Sequence, residues 1–113
     1  MNKIFGVGVD IVDISRFKNM DYEDNKNFYQ KIFLDSEIEY CLKFKNSEQH
    51  FAGKFAVKEA TKKSLTETIE FLEILTGHEN SKPTVNLKIQ NNYNFFVSIS
   101  HEKDYAIAVV IAQ

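Results

Sequence analysis

The chain reads as α+β, with helices packed on a mostly antiparallel sheet. Three observations predict this. Alternating apolar residues mark strands at both ends of the sequence, a long stretch in the middle has helical periodicity, and turn residues separate the late strands. The 113 residues allow one domain, residues 1–113, with a modest core. No repeat, low-complexity tract or linker offers a place to divide it.

The first strand is expected over Lys3 to Val12. Phe5, Val7, Val9 and Ile11 share one face, expected to be the core face. Ile4, Gly6, Gly8, Asp10 and Val12 share the other. Two glycines beside an aspartate leave room for a ligand, another backbone or a close-packed helix. Gly6-x-Gly8 is no dinucleotide fingerprint, because the third glycine would fall at Ile11. Asp13 is expected to cap a short helical turn through Arg16 and Phe17. Met20 to Gln30 is polar and acidic, with Asp21, Glu23 and Asp24. It predicts a surface loop and then a helix through Phe28, Tyr29, Ile32 and Phe33. Ser36-Glu37-Ile38-Glu39 has the form of a capping box, opening a helix with Ile38, Cys41 and Leu42 inward.

The central helix is expected over Phe51 to Ser64, with Ser47 as a candidate N-cap. Phe51, Ala52, Phe55, Ala56 and Ala60 recur along one buried side. Lys54, Lys58 and Lys62 fall four apart, which suits a solvated flank, anion binding at one or two positions, or a nucleic-acid stripe. Glu59 follows Ala52 by seven, Phe55 by four and Ala56 by three, so it points from the apolar side and needs a partner. Two partners fit: Lys63 one turn on, or a metal ion. After the helix, Ile69 to Leu75 is a continuous apolar run, Gly77 to Pro83 carries turn residues, and Thr84 to Gln90 alternates with Val85, Leu87 and Ile89 inward. Asn91-Asn92 marks a turn. Phe95 to Ser100 and Tyr105 to Ala112 are expected as strands of a hairpin closed by His101-Glu102-Lys103-Asp104. His101 sits at a strand end, where a rigid scaffold can hold a functional side chain.

The composition narrows the function classes. A net charge of −2 gives no bulk attraction for nucleic acid. No apolar run reaches membrane-spanning length, and the first one meets Asp10 too early for a signal peptide. One cysteine, Cys41, allows no intrachain disulfide and fits a cytoplasmic protein. Ten phenylalanines fit a packed core, with some of them buried between subunits as a second possibility.

Three stretches together resemble one family. Gly6-Val7-Gly8-Val9-Asp10-Ile11-Val12 resembles its opening strand. Phe51-Ala52-Gly53-Lys54-Phe55-Ala56-Val57-Lys58-Glu59-Ala60 resembles its central helix. Val97-Ser98-Ile99-Ser100-His101 with Asp104-Tyr105-Ala106 resembles its closing hairpin. The family is holo-acyl-carrier-protein synthase, the small type of 4′-phosphopantetheinyl transferase, and the resemblance spans nearly the whole chain.

The resemblance implies the 4′-phosphopantetheinyl transferase fold and a magnesium-dependent transfer. The 4′-phosphopantetheine arm of coenzyme A would pass to a serine of apo acyl carrier protein, releasing adenosine 3′,5′-bisphosphate. It implies Asp10 and Glu59 as magnesium ligands and Lys63 beside the transferred phosphate, these three being the catalytic set. It implies Lys54, Lys63, Ser100 and His101 as coenzyme A contacts, and Arg16 on the surface that receives acyl carrier protein. It also implies a homotrimer with sites between subunits. Magnesium suits the donor set, since it binds one or two carboxylates plus phosphates and waters. Glu59, directly or through a metal-bound water, is one candidate base for the carrier serine.

The chain also departs from the family. Ser64-Leu65-Thr66-Glu67-Thr68 replaces a Gly-Thr-Gly turn, and His50 stands where an arginine is frequent. Lys54 holds another frequent arginine position and lacks its bidentate fork. The helix between the late strands is cut down to Asn91 to Asn94, and the segment after Arg16 is acidic. The alternative reading is a non-catalytic carrier-protein- or nucleotide-binding module of the same fold.

Overall fold

The structure is a computed structural model and describes residues 6–113. The strand start expected at Lys3 and the faces expected for Ile4 and Phe5 lie outside the described residues. Strand β1 covers Gly6–Asp13. Three short helices follow, α1 (Ser15–Lys18), α2 (Lys26–Gln30) and α3 (Asp35–Leu42), and then the long α4 (Ser47–Ser64). A 3-10 turn at Phe71–Glu73 leads into β2 (Ile74–Glu79), β3 (Lys82–Leu87), β4 (Phe95–Glu102) and β5 (Tyr105–Ala112). β5 lies between β1 and β4 in a three-stranded sheet, and β2 and β3 form a separate hairpin. All of these pairings are antiparallel.

Helix α4 lies across one face of the three-stranded sheet. The register sets Gly8 opposite Val110, Asp10 opposite Ala108 and Val12 opposite Ala106. Directly paired residues point to the same side, so a surface of glycine and alanine meets the helix. A Cβ on Gly8 would sit 1.8 Å from the carbonyl oxygen of Ala60, and one on Gly6 would sit 1.9 Å from that of Ser64. The glycines therefore serve the close-packed helix. The expectation that Val7, Val9 and Ile11 face the core is overturned, because they are 58%, 54% and 60% exposed. Alternation separates the two faces of a strand but does not say which one is covered. Here the small face is covered, because only there can α4 approach backbone to backbone.

The aromatic residues explain much of the core. Phe17, Tyr29, Phe33, Phe51 and Phe55 pack on one another with neighbouring centroids 4.7–6.3 Å apart. Tyr29, Ile32 and Phe33 are buried, but the helix expected to run through them is corrected: α2 ends at Gln30, and Ile32 and Phe33 lie in the turn after it. Ile38 and Cys41 are buried, whereas Leu42 is exposed, correcting its inward assignment.

The caps differ from expectation. Glu37, not Ser36, closes the start of α3, where its carboxylate accepts the Leu34 N–H at 2.7 Å. Asn46 precedes α4, so Ser47 is its first residue. Asp13 accepts the Ser15 N–H at 3.0 Å, as a residue turning the chain into α1.

The late strands extend into the expected turn region. β2 and β3 run through Gly77, His78, Lys82 and Pro83, and only Asn80 and Ser81 form the turn. Both have positive φ, 52° and 67°, as a two-residue hairpin turn matched to strand twist requires. Val85 and Leu87 are buried, but Ile89 lies beyond β3 and is exposed, another correction.

Candidate active site and adjoining cavity

The contact between β1 and α4 fixes the first cluster. Gly6 lies against Ser64 and Gly8 against Ala60, so the strand runs antiparallel to the last turns of the helix. Asp10, next on that face, meets Lys63. The Lys63 Nζ lies 3.1 Å from Asp10 Oδ1 and donates to the Val9 carbonyl at 3.1 Å. The side chain of Asp10 is 14% exposed and that of Lys63 is 54% exposed. Glu59 lies one helical turn before Lys63 and is half-buried. The expected Glu59–Lys63 pair is absent from the ion pairs of the described residues, because Lys63 turns to the strand instead.

This donor set fits a hard cation. Among the described residues no three His, Cys, Asp or Glu gather as a protein cage. Two carboxylates at a partly open surface suit magnesium, which keeps waters and takes substrate phosphates as ligands.

A second cluster was not foreseen. Lys58 is not on a solvated flank: it is 0% exposed and Glu37 is 1% exposed. Its ammonium lies 2.7 Å from Glu37 Oε1 and donates to the carbonyls of Ile32 at 2.9 Å and Phe71 at 3.0 Å. Burial pushes the Lys58 pKa down, and its hydrogen bond to Glu37 opposes that shift. The other Glu37 oxygen accepts from the backbone and hydroxyl of Thr76. Thr76 Oγ1 in turn accepts from Lys54 Nζ at 3.0 Å. Lys54 is also buried, correcting the flank reading again, and its ammonium sits 4.7 Å from the Tyr40 ring centroid. Lys62 rests over Phe71 at 3.6 Å. A sequence signal existed: Lys58 follows Phe51 by seven and Phe55 by three, the spacing that singled out Glu59.

Lys54 reaches a cavity of about 210 Å³ between α3, α4, the β2–β3 hairpin and β4, lined also by Tyr40, His50, Gly53, His78, Ile99 and His101. All three histidines of the chain meet there. His78 stacks on Tyr40 at 5.0 Å, and His50 stacks on Phe44 at 3.8 Å. Burial lowers the His50 pKa, and His101, His78 and Lys54 add to the effect. Burial also lowers that of His78, with Lys54 adding to it. Alternation along β4 separates two expected coenzyme contacts. His101 pairs with Ala106 on the α4 face, whereas Ser100 pairs with Ile107 on the opposite face.

Arg16 is exposed on α1, its guanidinium 5.0 Å from the Phe55 ring centroid. The acids Asp21, Glu23 and Asp24 are exposed beyond it, and Glu23 pairs with Lys26 at 3.4 Å. After α4 the backbone extends at Leu65, with no glycine before Ile69.

A profile of the 4′-phosphopantetheinyl transferase superfamily matches residues 6–110, and the chain belongs to that superfamily. Its relatives narrow the class to small synthases. The holo-[acyl-carrier-protein] synthase of Thermodesulfovibrio yellowstonii is 40% identical, with 96% of this chain and 97% of the relative covered. A holo-(acyl-carrier-protein) synthase from Bacillus anthracis, solved in complex with CoA (3′,5′-ADP), matches with a TM-score of 0.83 at 28% identity over 96% of each chain. The Helicobacter pylori holo-[acyl-carrier-protein] synthase in complex with coenzyme A matches with a TM-score of 0.79 at 32% identity, over 95% of this chain and 99% of that one.

Proposed function

We infer that the chain transfers the 4′-phosphopantetheine arm of coenzyme A to a serine of apo acyl carrier protein, releasing adenosine 3′,5′-bisphosphate. The observation that carries this reading is the Asp10–Lys63 contact beside Glu59, in a chain whose relatives are holo-acyl-carrier-protein synthases along their whole length. The serine Oγ forms a bond to the pantetheine-side phosphorus while the bond from that phosphorus to the bridging oxygen breaks. The leaving phosphate carries that oxygen away.

Each residue has a part. Asp10 and Glu59 hold magnesium, which when bound neutralises charge on the pyrophosphate and the leaving phosphate. Lys63 uses two of its three N–H donors on Asp10 and Val9 and has one left for the transferred phosphate. Its fixed positive charge lies where negative charge grows. Glu59 takes the serine proton, supported by its half-buried position and by its having no ion pair among the described residues. Lys54 and His101 contact the coenzyme from the cavity, whereas Ser100 lies across the sheet and serves a neighbouring subunit's site. Arg16 receives the acidic carrier.

The reading extends to assembly and setting. Val7, Val9, Ile11, Ile107, Val109 and Phe96 form an exposed apolar sheet face. A homotrimer packed through that face would cover it. The chain forms one domain over 1–113 and works in the cytoplasm, in fatty acid and lipid biosynthesis. A single buried cysteine supports that compartment, and no described helix is long and apolar enough to cross a membrane.

The test is incubation with apo carrier, coenzyme A and magnesium, followed by mass spectrometry of the carrier. The carrier is expected to gain the phosphopantetheine arm, and no gain until magnesium is added. Binding of both partners without any gain in mass would make the chain a non-catalytic module.

A further inference from the structure

The cavity between α3, α4, the hairpin and β4 has an unusual charge inventory for a protein of net charge −2. Four basic side chains line it, and no carboxylate does. Lys54 is 5% exposed and has one side-chain hydrogen bond, to the neutral Thr76 hydroxyl. An ammonium has three donors, so two remain for a ligand. Among the described residues the one carboxylate tied to this chain of bonds is Glu37, and it is already committed to Lys58 and Thr76. A buried cation with free donors, facing three imidazoles, is built for an anion.

The coenzyme reading above already places a phosphate of coenzyme A here, against Lys54 and His101; we propose that His50 and His78 also bind it, by taking up protons as it enters. The proposal rests on the coenzyme reading above and adds two binding residues and a pH response to it. The groups facing His50 are Glu48 and Lys54 of its own helix, Tyr40 of α3, His78 of β2 and His101 of β4. Those facing His78 are His50, Lys54 and Tyr40, with His101 across the cavity and Glu79 and Lys82 exposed beside it on the hairpin. Tyr40 stays neutral, since burial pushes its phenol up. Glu48 is thus the one acid acting on either imidazole, and it is the weakest influence on His50.

Burial and the Lys54 charge hold the pKa of both imidazoles below the ordinary value, which favours their neutral form. A phosphate dianion reverses that balance, because an opposite charge at close range favours the protonated ring. Each imidazolium then adds a charge-assisted hydrogen bond to phosphate. The sign separates this from ordinary anion binding. A fixed ammonium alone would depress the second phosphate pKa, about 6 in a phosphomonoester, and would release protons. Uptake requires groups that gain protons, and the cavity offers imidazoles.

The experiment is calorimetric titration of the full chain with coenzyme A and magnesium, in two buffers of different ionisation enthalpy, from pH 6.5 to 8.5. Net proton uptake is expected, with affinity weakening by up to about tenfold per pH unit for each proton taken up. The paired substitutions His50→Gln and His78→Gln, both at positions with solvent access, are expected to abolish the uptake, flatten the pH profile and weaken binding roughly tenfold at pH 7. Dephospho-coenzyme A separates the two sources of phosphate. Loss of uptake places the terminal phosphomonoester in the cavity, and retained uptake places the pyrophosphate there. Coenzyme A binding without proton uptake, or uptake unchanged in the paired variant, would overturn the proposal. Absence of coenzyme A binding at every pH would overturn the coenzyme reading and this proposal with it.

Discussion

Lys58 and Lys63 lie five residues apart on one helix, each holds one carboxylate, and their surroundings differ in almost every other respect. Lys58 spends all three donors on Glu37, Ile32 and Phe71, and the pair is sealed from water. Lys63 spends two, and its side chain is 54% exposed. Lys54, one turn before Lys58, spends one. The closed pair has no capacity left for a ligand and joins the turn after α2, helix α3 and the turn before β2 to α4. The open pair can exchange partners, as a site must. What decides between structure and chemistry here is the number of donors left over, not the residue type.

The largest expected effect comes from breaking the closed pair. Lys58→Ala leaves Glu37 buried without its cation, and a loss of about 3–5 kcal/mol is expected, read from urea unfolding. Replacing both partners together, Lys58→Met with Glu37→Leu, is expected to recover much of that loss. Equal losses in the single and double variants would show that the hydrogen bonds to Ile32, Phe71 and Thr76 dominate.

Breaking the open site should reverse the pattern. Asp10→Ala and Glu59→Ala are each expected to lower transfer by on the order of 10²–10³-fold or more, with unfolding midpoints near the parent's. Normal transfer by Glu59→Ala at saturating magnesium would remove Glu59 from the site. A variant that unfolds would make its carboxylate a structural group rather than a catalytic one.

A smaller effect tests how the two are connected. Gly8→Ala would drive a Cβ into the Ala60 carbonyl and is expected to cost about 1–3 kcal/mol. The same shift moves β1 off α4 and separates Asp10 from Lys63, so transfer should fall by more than stability alone explains. A variant with parent activity would show that the open pair does not depend on the strand–helix contact.

The smallest effect lies at the surface. Arg16→Ala is expected to weaken use of the carrier several-fold and use of coenzyme A little, most clearly at low salt, because exposed charges are screened. Neutralising Asp21, Glu23 and Asp24 together should improve carrier use in the same range. Kinetic efficiency toward each substrate across a salt series separates the cases. Equal losses for both substrates would move Arg16 into the nucleotide site.

The sequence made part of this legible. Phe51, Ala52, Phe55, Ala56 and Ala60 mark the buried stripe of α4, and β4 and β5 follow their alternation. The family resemblance points to Asp10, Glu59 and Lys63, and β1 and α4 bring Asp10 and Lys63 into contact. Three things were hidden for physical reasons. The covered face of β1 depends on what the rest of the chain lays against it, so alternation alone assigns the exposed Val7, Val9 and Ile11 to the core. Lys54 and Lys58 obey the helical spacing of the core, but a lysine enters a core only with a partner, and Glu37 is 21 positions away from Lys58. His50, His78 and His101 lie far apart in sequence and meet only because β2 and β4 converge on α4, which carries His50.

The register of β1 against β5 has a consequence for how the protein is made. Gly6 pairs with Ala112 and Asp13 with Tyr105, so the first described strand finds its partner only in the last. Contacts this distant in sequence close slowly. On the ribosome β1 and α4 emerge early and wait, unpaired, until β5 has been synthesised. Through that interval both hydrogen-bonding edges of the Val7–Val9–Ile11 strand are open to other chains. Nascent molecules crowded on one messenger can therefore meet through these strands before any one of them has closed its own sheet.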